Sequence, residues 1–101
     1  NNQFKILVFG TLFFISAVSH AYEKQVCRSI MVNSYNRTES EAYQNCGNSP
    51  TFNICVIDLL SLGYAPSTGY TNCTSNSSKN QCIVNKVQAG TSPSQAYNSC
   101  P

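Results

Sequence analysis

Apolar residues fall along this chain in one long run and then in three shorter blocks. The run "ILVFGTLFFISAV", residues 6–18, follows Lys5 and precedes Ser19-His20-Ala21. A positive start, a short apolar stretch and small residues at the minus-three and minus-one positions are the pattern of an export signal, with cleavage expected after Ala21. A membrane anchor is the rival reading, but the run is short of the ~20 residues that span a bilayer and is broken by Gly10, Thr11 and Ser16. No second such run follows, so the mature chain is expected to make no stable membrane insertion.

The three later blocks are "CRSIMVNS" (27–34), "CVIDLLSL" (55–62) and "CIVNKVQA" (82–89). Each is followed by a polar stretch that carries a small residue and a tyrosine, Ala42-Tyr43, Gly69-Tyr70 or Ala96-Tyr97, shortly before a second cysteine. Between the halves of the second and third units stand Gly63 and Gly90, with Pro66 and Pro93 three residues on. A glycine suits the left-handed residue that ends a helix, and a proline suits the first turn of the next. Thr38 with Glu41, and Ser92 with Gln95, have the spacing of a capping box, and Asn36 can take the place of glycine at the first turn. Asn53 and Asn80, each two residues before an opening cysteine, are candidate caps for first helices. The pattern predicts an all-α chain built of helix-turn-helix hairpins; a strand through "CVIDLL" is the competing reading, since a short apolar run carries no period of its own.

Aligned on their cysteines, the hairpins repeat. Cys27, Cys55 and Cys82 open the units and Cys46, Cys73 and Cys100 close them, with a period of about 27 residues that falls in the range of stacked helical repeats. The expected organisation is a signal peptide over 1–21 and a single disulfide-rich domain over 22–101, its repeats at about 25–46, 53–73 and 80–100. The middle block is the most apolar, with Val56, Ile57, Leu59, Leu60 and Leu62, whereas the flanking blocks carry Arg28, Ser29, Asn85 and Lys86. That is the order cap, core, cap, because only the middle unit of such an array is covered from both sides.

Composition then narrows the chemistry. Removing residues 1–21 removes His20, the only histidine, and leaves five Lys and Arg against four Asp and Glu, a net charge of +1. Neither nucleic acid nor an anionic membrane is implied by that balance. Six cysteines in a small exported chain predict a disulfide framework and a secreted or periplasmic protein. Helices of about eight residues place the opening and closing cysteines at one end of a hairpin, which favours Cys27 with Cys46, Cys55 with Cys73 and Cys82 with Cys100. The rival set joins Cys46 to Cys55, Cys73 to Cys82 and Cys27 to Cys100. The gaps lack the clustering of a zinc site, and no metal or other cofactor is expected.

Catalytic sets are absent: no base accompanies a nucleophile, Glu39 and Glu41 diverge at a helix start, and Asp58 reads as a solvated residue in a helix's first turn. The chain is therefore expected not to be an enzyme. Tyr43, Tyr70 and Tyr97 share one helical face; they are either packing residues that travel with each disulfide or an aromatic ladder for a sugar or peptide. The sequons at Asn36, Asn72 and Asn76 are weak signals in a chain this rich in Asn, Ser and Thr, and "GNSPTFNI" and "TSNSSKNQ" read as solvated linkers. The function this supports is a small binding or structural module for an extracellular or periplasmic protein or glycan. A secreted toxin, effector or antimicrobial-like protein is the alternative, disfavoured by the weak charge.

Overall fold

The computed structural model describes residues 22–101; the export signal read over residues 1–21 lies outside the described residues. Six helices and no strand are found among them: α1 (Lys24–Tyr35), α2 (Glu39–Asn45), α3 (Pro50–Ser61), α4 (Pro66–Asn72), α5 (Ser77–Gln88) and α6 (Pro93–Ser99). The segment "CVIDLL" is thus helical, inside α3. A 12-residue helix precedes a seven-residue one each time.

Local chemistry sets where these helices begin. At α2 the Thr38 hydroxyl accepts the Glu41 N–H at 3.0 Å and a Glu41 carboxylate oxygen accepts the Thr38 N–H at 3.1 Å, a closed capping box. At α6 the Ser92 hydroxyl accepts the Gln95 N–H at 3.3 Å, one direction only of the box expected there. The first helices of the second and third units begin earlier than the sequence reading placed them. Their caps are Ser49, which accepts the Phe52 N–H at 3.1 Å, and Asn76, which accepts the Lys79 N–H at 2.8 Å. Asn53 and Asn80 are instead buried inside α3 and α5. Ser49-Pro50 repeats the Ser92-Pro93 signature, so the stretches read as linkers already contain the first helical turns.

The helix ends follow from backbone handedness. Gly63 (φ 100°) and Gly90 (φ 107°) adopt the left-handed region, and the N–H groups of Tyr64 and Thr91 return to the carbonyls of Leu59 and Lys86 at 3.1 and 2.9 Å. These are Schellman closures, in which glycine avoids the strain a side chain would bring. The first unit is one residue longer between its cysteines, and there Asn36 takes φ 57°. The N–H groups of Asn36 and Arg37 both reach the Met31 carbonyl, so the extra residue widens the last turn of α1.

The long helices pack side by side in the order α1, α3, α5, and the short ones in the order α2, α4, α6. Each long helix also packs on the short helix that follows it. Helix α3 is central and buries Asn53, Cys55, Val56, Ile57, Leu59 and Leu60, whereas α1 buries only Cys27 and Met31. Leu62, which the sequence places with the apolar set, is exposed at the end of α3. Fully buried Leu59 contributes about 2 kcal/mol by removal of its side chain from water.

Small residues let the two rows meet. Ala42 and Ala96 are fully buried, and a Cβ placed on Gly69 would lie 3.1 Å from both Cα and Cγ1 of Val56. Gly69→Leu is therefore expected to cost about 2–3 kcal/mol through overpacking, since the backbone of buried α3 has little room to yield. Urea denaturation checks this; an unchanged midpoint would mean that α4 can tilt away from α3.

Three disulfides join Cys27 to Cys46, Cys55 to Cys73 and Cys82 to Cys100, with Cα atoms 5.9, 5.8 and 5.9 Å apart. Each closes one long helix onto the short helix after it, and no cysteine is left free among the described residues. Within those residues no helix is long and apolar enough to cross a membrane.

Candidate functional site

Two buried asparagines set how neighbouring pairs sit. The Asn53 Oδ1 accepts the Gly47 N–H at 2.8 Å, while its Nδ2 donates to the carbonyls of Gly47 at 3.0 Å and Tyr22 at 2.8 Å. One amide thus holds the loop after the Cys27–Cys46 disulfide and the residues that lead into α1. Asn80 does the same one pair later: its Oδ1 accepts from the Thr74 N–H and hydroxyl, both at 2.9 Å, and its Nδ2 donates to the carbonyls of Thr74 at 2.7 Å and Thr51 at 3.3 Å. These bonds satisfy the polar atoms that burial would otherwise leave unpaired. They also fix α5 against α3 along a groove.

That groove has a volume of about 190 Å³. Ile54, Cys55 and Asp58 of α3 line one side, and Ser77, Gln81 and Val84 of α5 line the other, with Thr51 and the clasping Asn80 at one end. The walls are aliphatic and the rim carries neutral oxygens. Asp58 is the exception. Because α3 begins at Pro50, Asp58 lies in its third turn, half-buried, and not in a solvated first turn as its sequence context suggested. Burial pushes its carboxyl up to about 6, and among the described residues no cation pairs with it. Outside the groove lining, the Tyr22 hydroxyl ahead of α1 is also pushed up, by burial first and then by Asp58 and Tyr35.

The signal for this residue was present in the alignment of the cysteines. Three residues after each opening cysteine the chain has Ile30, Asp58 and Asn85. Ile30 is partly buried and packs against the core, so an aliphatic side chain satisfies this place in the first pair. A carboxylate there in the second pair adds nothing to packing.

The raised value makes stability depend on pH. Between about pH 4 and about pH 6 the folded chain binds the Asp58 proton more tightly than the unfolded chain does, so this group's contribution is most favourable below pH 4 and is lost as pH rises through about 6. Asp58→Asn is expected to stabilise the domain by about 1–2 kcal/mol at neutral pH, a discounted figure for a half-exposed group, with the difference closing near pH 4. Thermal unfolding of both proteins at the two pH values checks it. An equal difference at both would place the effect in packing instead of charge.

The tyrosines are engaged within their own pairs. The Arg28 guanidinium lies 4.5 Å from the Tyr43 ring centre, Phe52 meets Tyr70 edge-on at 5.5 Å, and the Lys79 ammonium lies 4.3 Å from the Tyr97 ring centre. Lys79 also donates to the carbonyls of Tyr97 and Cys100 at 2.9 and 2.8 Å, closing the end of α6. The ring one residue after each small packing residue points aside from the helix contact, which leaves Tyr43 68 % and Tyr70 51 % exposed. Each ring is therefore partnered by a side chain from its own long helix.

Glu41 and the sequon asparagines have local partners. Glu41 is held below the usual carboxylate range by the Thr38 N–H and then by Arg37, whose guanidinium lies 2.9 Å away. Asn72 is buried and donates to the Thr68 carbonyl, Asn76 caps the start of α5, and Asn36 is exposed at the end of α1, where its N–H reaches the Met31 carbonyl. Among the described residues no cluster of three or more His, Cys, Asp or Glu has the arrangement of a metal site. Compared with protein-family models, with curated proteins and with solved structures, the chain matches none.

Proposed function

We propose that the chain is an exported binding module: an array of three repeated, disulfide-stapled helix pairs that presents the α3–α5 groove to a protein or glycan in the extracellular or periplasmic space. The observation that carries this reading is Asp58, a half-buried and unpaired carboxylate set in that groove at a position where the first pair has a packing isoleucine. Three disulfides suit an oxidising compartment, and they supply rigidity without a large core. Rigid helix pairs with differing surface positions are a recurrent basis for recognition. Catalysis is not proposed, since the groove lining offers one carboxylate and no second titratable side chain to work with it or with the Thr51 and Ser77 hydroxyls.

The test compares the oxidised domain with Gln81→Trp, which fills the groove from an exposed position on α5. Saturable binding to components of the native external fraction is expected for the parent and is expected to be lost in the variant. Equal binding by both would move the site elsewhere. Leakage of lipid vesicles by the oxidised protein would replace this reading with the toxin alternative.

A further inference from the structure

The position that separates the groove from pure packing is a carboxylate without a counter-ion, between aliphatic walls. Among the described residues no cation forms an ion pair with it, and burial accounts for its raised carboxyl. On the α1 side the Tyr22 phenol is the group that feels its charge; α1 also carries Lys24 and Arg28, of which Arg28 lies over Tyr43, and neither forms an ion pair with Asp58. On α5 the lining residues are uncharged; Lys79 is committed to the carbonyls of Tyr97 and Cys100, and Lys86 is not part of the lining. On α4 the titratable residue is Tyr70, which meets Phe52. A desolvated carboxylate with open acceptor positions is satisfied by a cation that brings its own donors.

We propose that the α3–α5 groove binds a primary alkylammonium group, with the Asp58 carboxylate as counter-ion and Ile54 and Val84 packing against the methylene stem. The proposal rests on the groove being the module's binding site. An ammonium presents three donors. One meets Asp58, and the neutral oxygens of Thr51, Ser77 and Gln81 stand along the groove for the others. A guanidinium is a poorer match, since its planar fork is best met by paired acceptors and the groove has a single carboxylate. Asn80 takes no part, because its amide is already occupied by Thr74 and Thr51. Burial raises the Asp58 carboxyl to about 6, so binding is strong when it is ionised and weakens about tenfold on going from about pH 7.5 to about pH 5.

The experiment follows Ile54 and Val84 methyl resonances and the Asp58 carboxyl carbon of the oxidised mature chain during titration with n-butylammonium chloride. Saturable methyl shifts are expected near pH 7.5, about tenfold weaker binding near pH 5, a lowered Asp58 titration midpoint with ligand present, and loss of all three in Asp58→Asn. Sodium chloride at equal concentration is expected to leave the methyls unmoved. Shifts that persist in Asp58→Asn, or equal binding of ethylguanidinium, would overturn the assignment. Cadaverine and Nα-acetyl-lysine methylamide distinguish a free diamine from a lysine side chain of a partner, and failure of both would also overturn it. If these amines fail while Gln81→Trp still abolishes partner binding, the ammonium assignment falls and the groove remains the binding site.

Discussion

Reduction of all three disulfides is expected to unfold the domain at room temperature. Each closed loop, of sequence separation 18 or 19, constrains the unfolded chain by about 3 kcal/mol in the entropic account, so the three together contribute about 9 kcal/mol. The net stability of small domains is about 5–15 kcal/mol, and a chain of this size lies toward the lower end. Helix length points the same way. Seven-residue α2, α4 and α6 are far below the ~12 residues at which isolated helices become marginal, so they depend on being held against their long partners. Far-UV circular dichroism with a phosphine reductant is expected to show loss of helix and of cooperative melting. A reduced chain that still melts cooperatively would mean that the α1–α3–α5 row is stable by packing alone.

Asn53→Ala is the single substitution expected to do most damage among the polar residues, at about 2–4 kcal/mol. It removes the acceptor for the Gly47 N–H and the donors to the Gly47 and Tyr22 carbonyls, at a fully buried position. Asn53→Asp is expected to be no better, since a second oxygen would face two carbonyls. The matching position of the first unit, Gln25, is exposed, and Gln25→Ala is expected to stay within about 0.5 kcal/mol. Urea midpoints for the three variants separate these cases. A mild Asn53→Ala beside an equally mild Gln25→Ala would show that water enters the junction and replaces the amide.

Asn53 also shows where sequence reasoning reaches its limit. Asparagine before a helical block is a good cap, and Asn53 and Asn80 occupy such a place relative to the cysteines. Their amides bind instead to the loops behind them and to the previous pair, with the Asn53 to Tyr22 bond spanning 31 positions. No local pattern reports a bond of that range. The earlier start of α3 was legible, because Ser49-Pro50 carries the signature read at Ser92-Pro93, whereas α5 begins after Asn76 without a proline. Moving the start of α3 from Asn53 to Pro50 carries Asp58 out of the first turn, and with it out of solvent.

Other features were legible for a plain physical reason. The left-handed turns at Asn36, Gly63 and Gly90 are set by backbone sterics, and the small residues at 42, 69 and 96 by the closeness of two helices. The disulfide ends follow from hairpin geometry once helix lengths are known. Partners of the tyrosines were not legible, since Phe52 and Lys79, three residues before their opening cysteines, meet the rings by unlike chemistry, and in the first pair Arg28, one residue after Cys27, takes that place. Asp58 was visible as the odd residue in an apolar block, but its neighbours across the groove come from α5, about 20–25 positions away.

The account rests on an exported domain of three separately stapled helix pairs, and mapping the disulfides of protein recovered from its native compartment tests that most directly. Trypsin cleaves after Lys24, Arg28, Arg37, Lys79 and Lys86, so the segment 25–28 is expected linked to 38–79, and 80–86 linked to 87–101, with further cleavage at Phe52 and Tyr70 assigning Cys46 and Cys73. The mature chain is expected to begin at Tyr22. Segment 25–28 linked to 87–101, with Cys46 joined to Cys55, would contradict the account, because pairs tied end to end are a different scaffold and would not hold α3 and α5 as the walls of one groove.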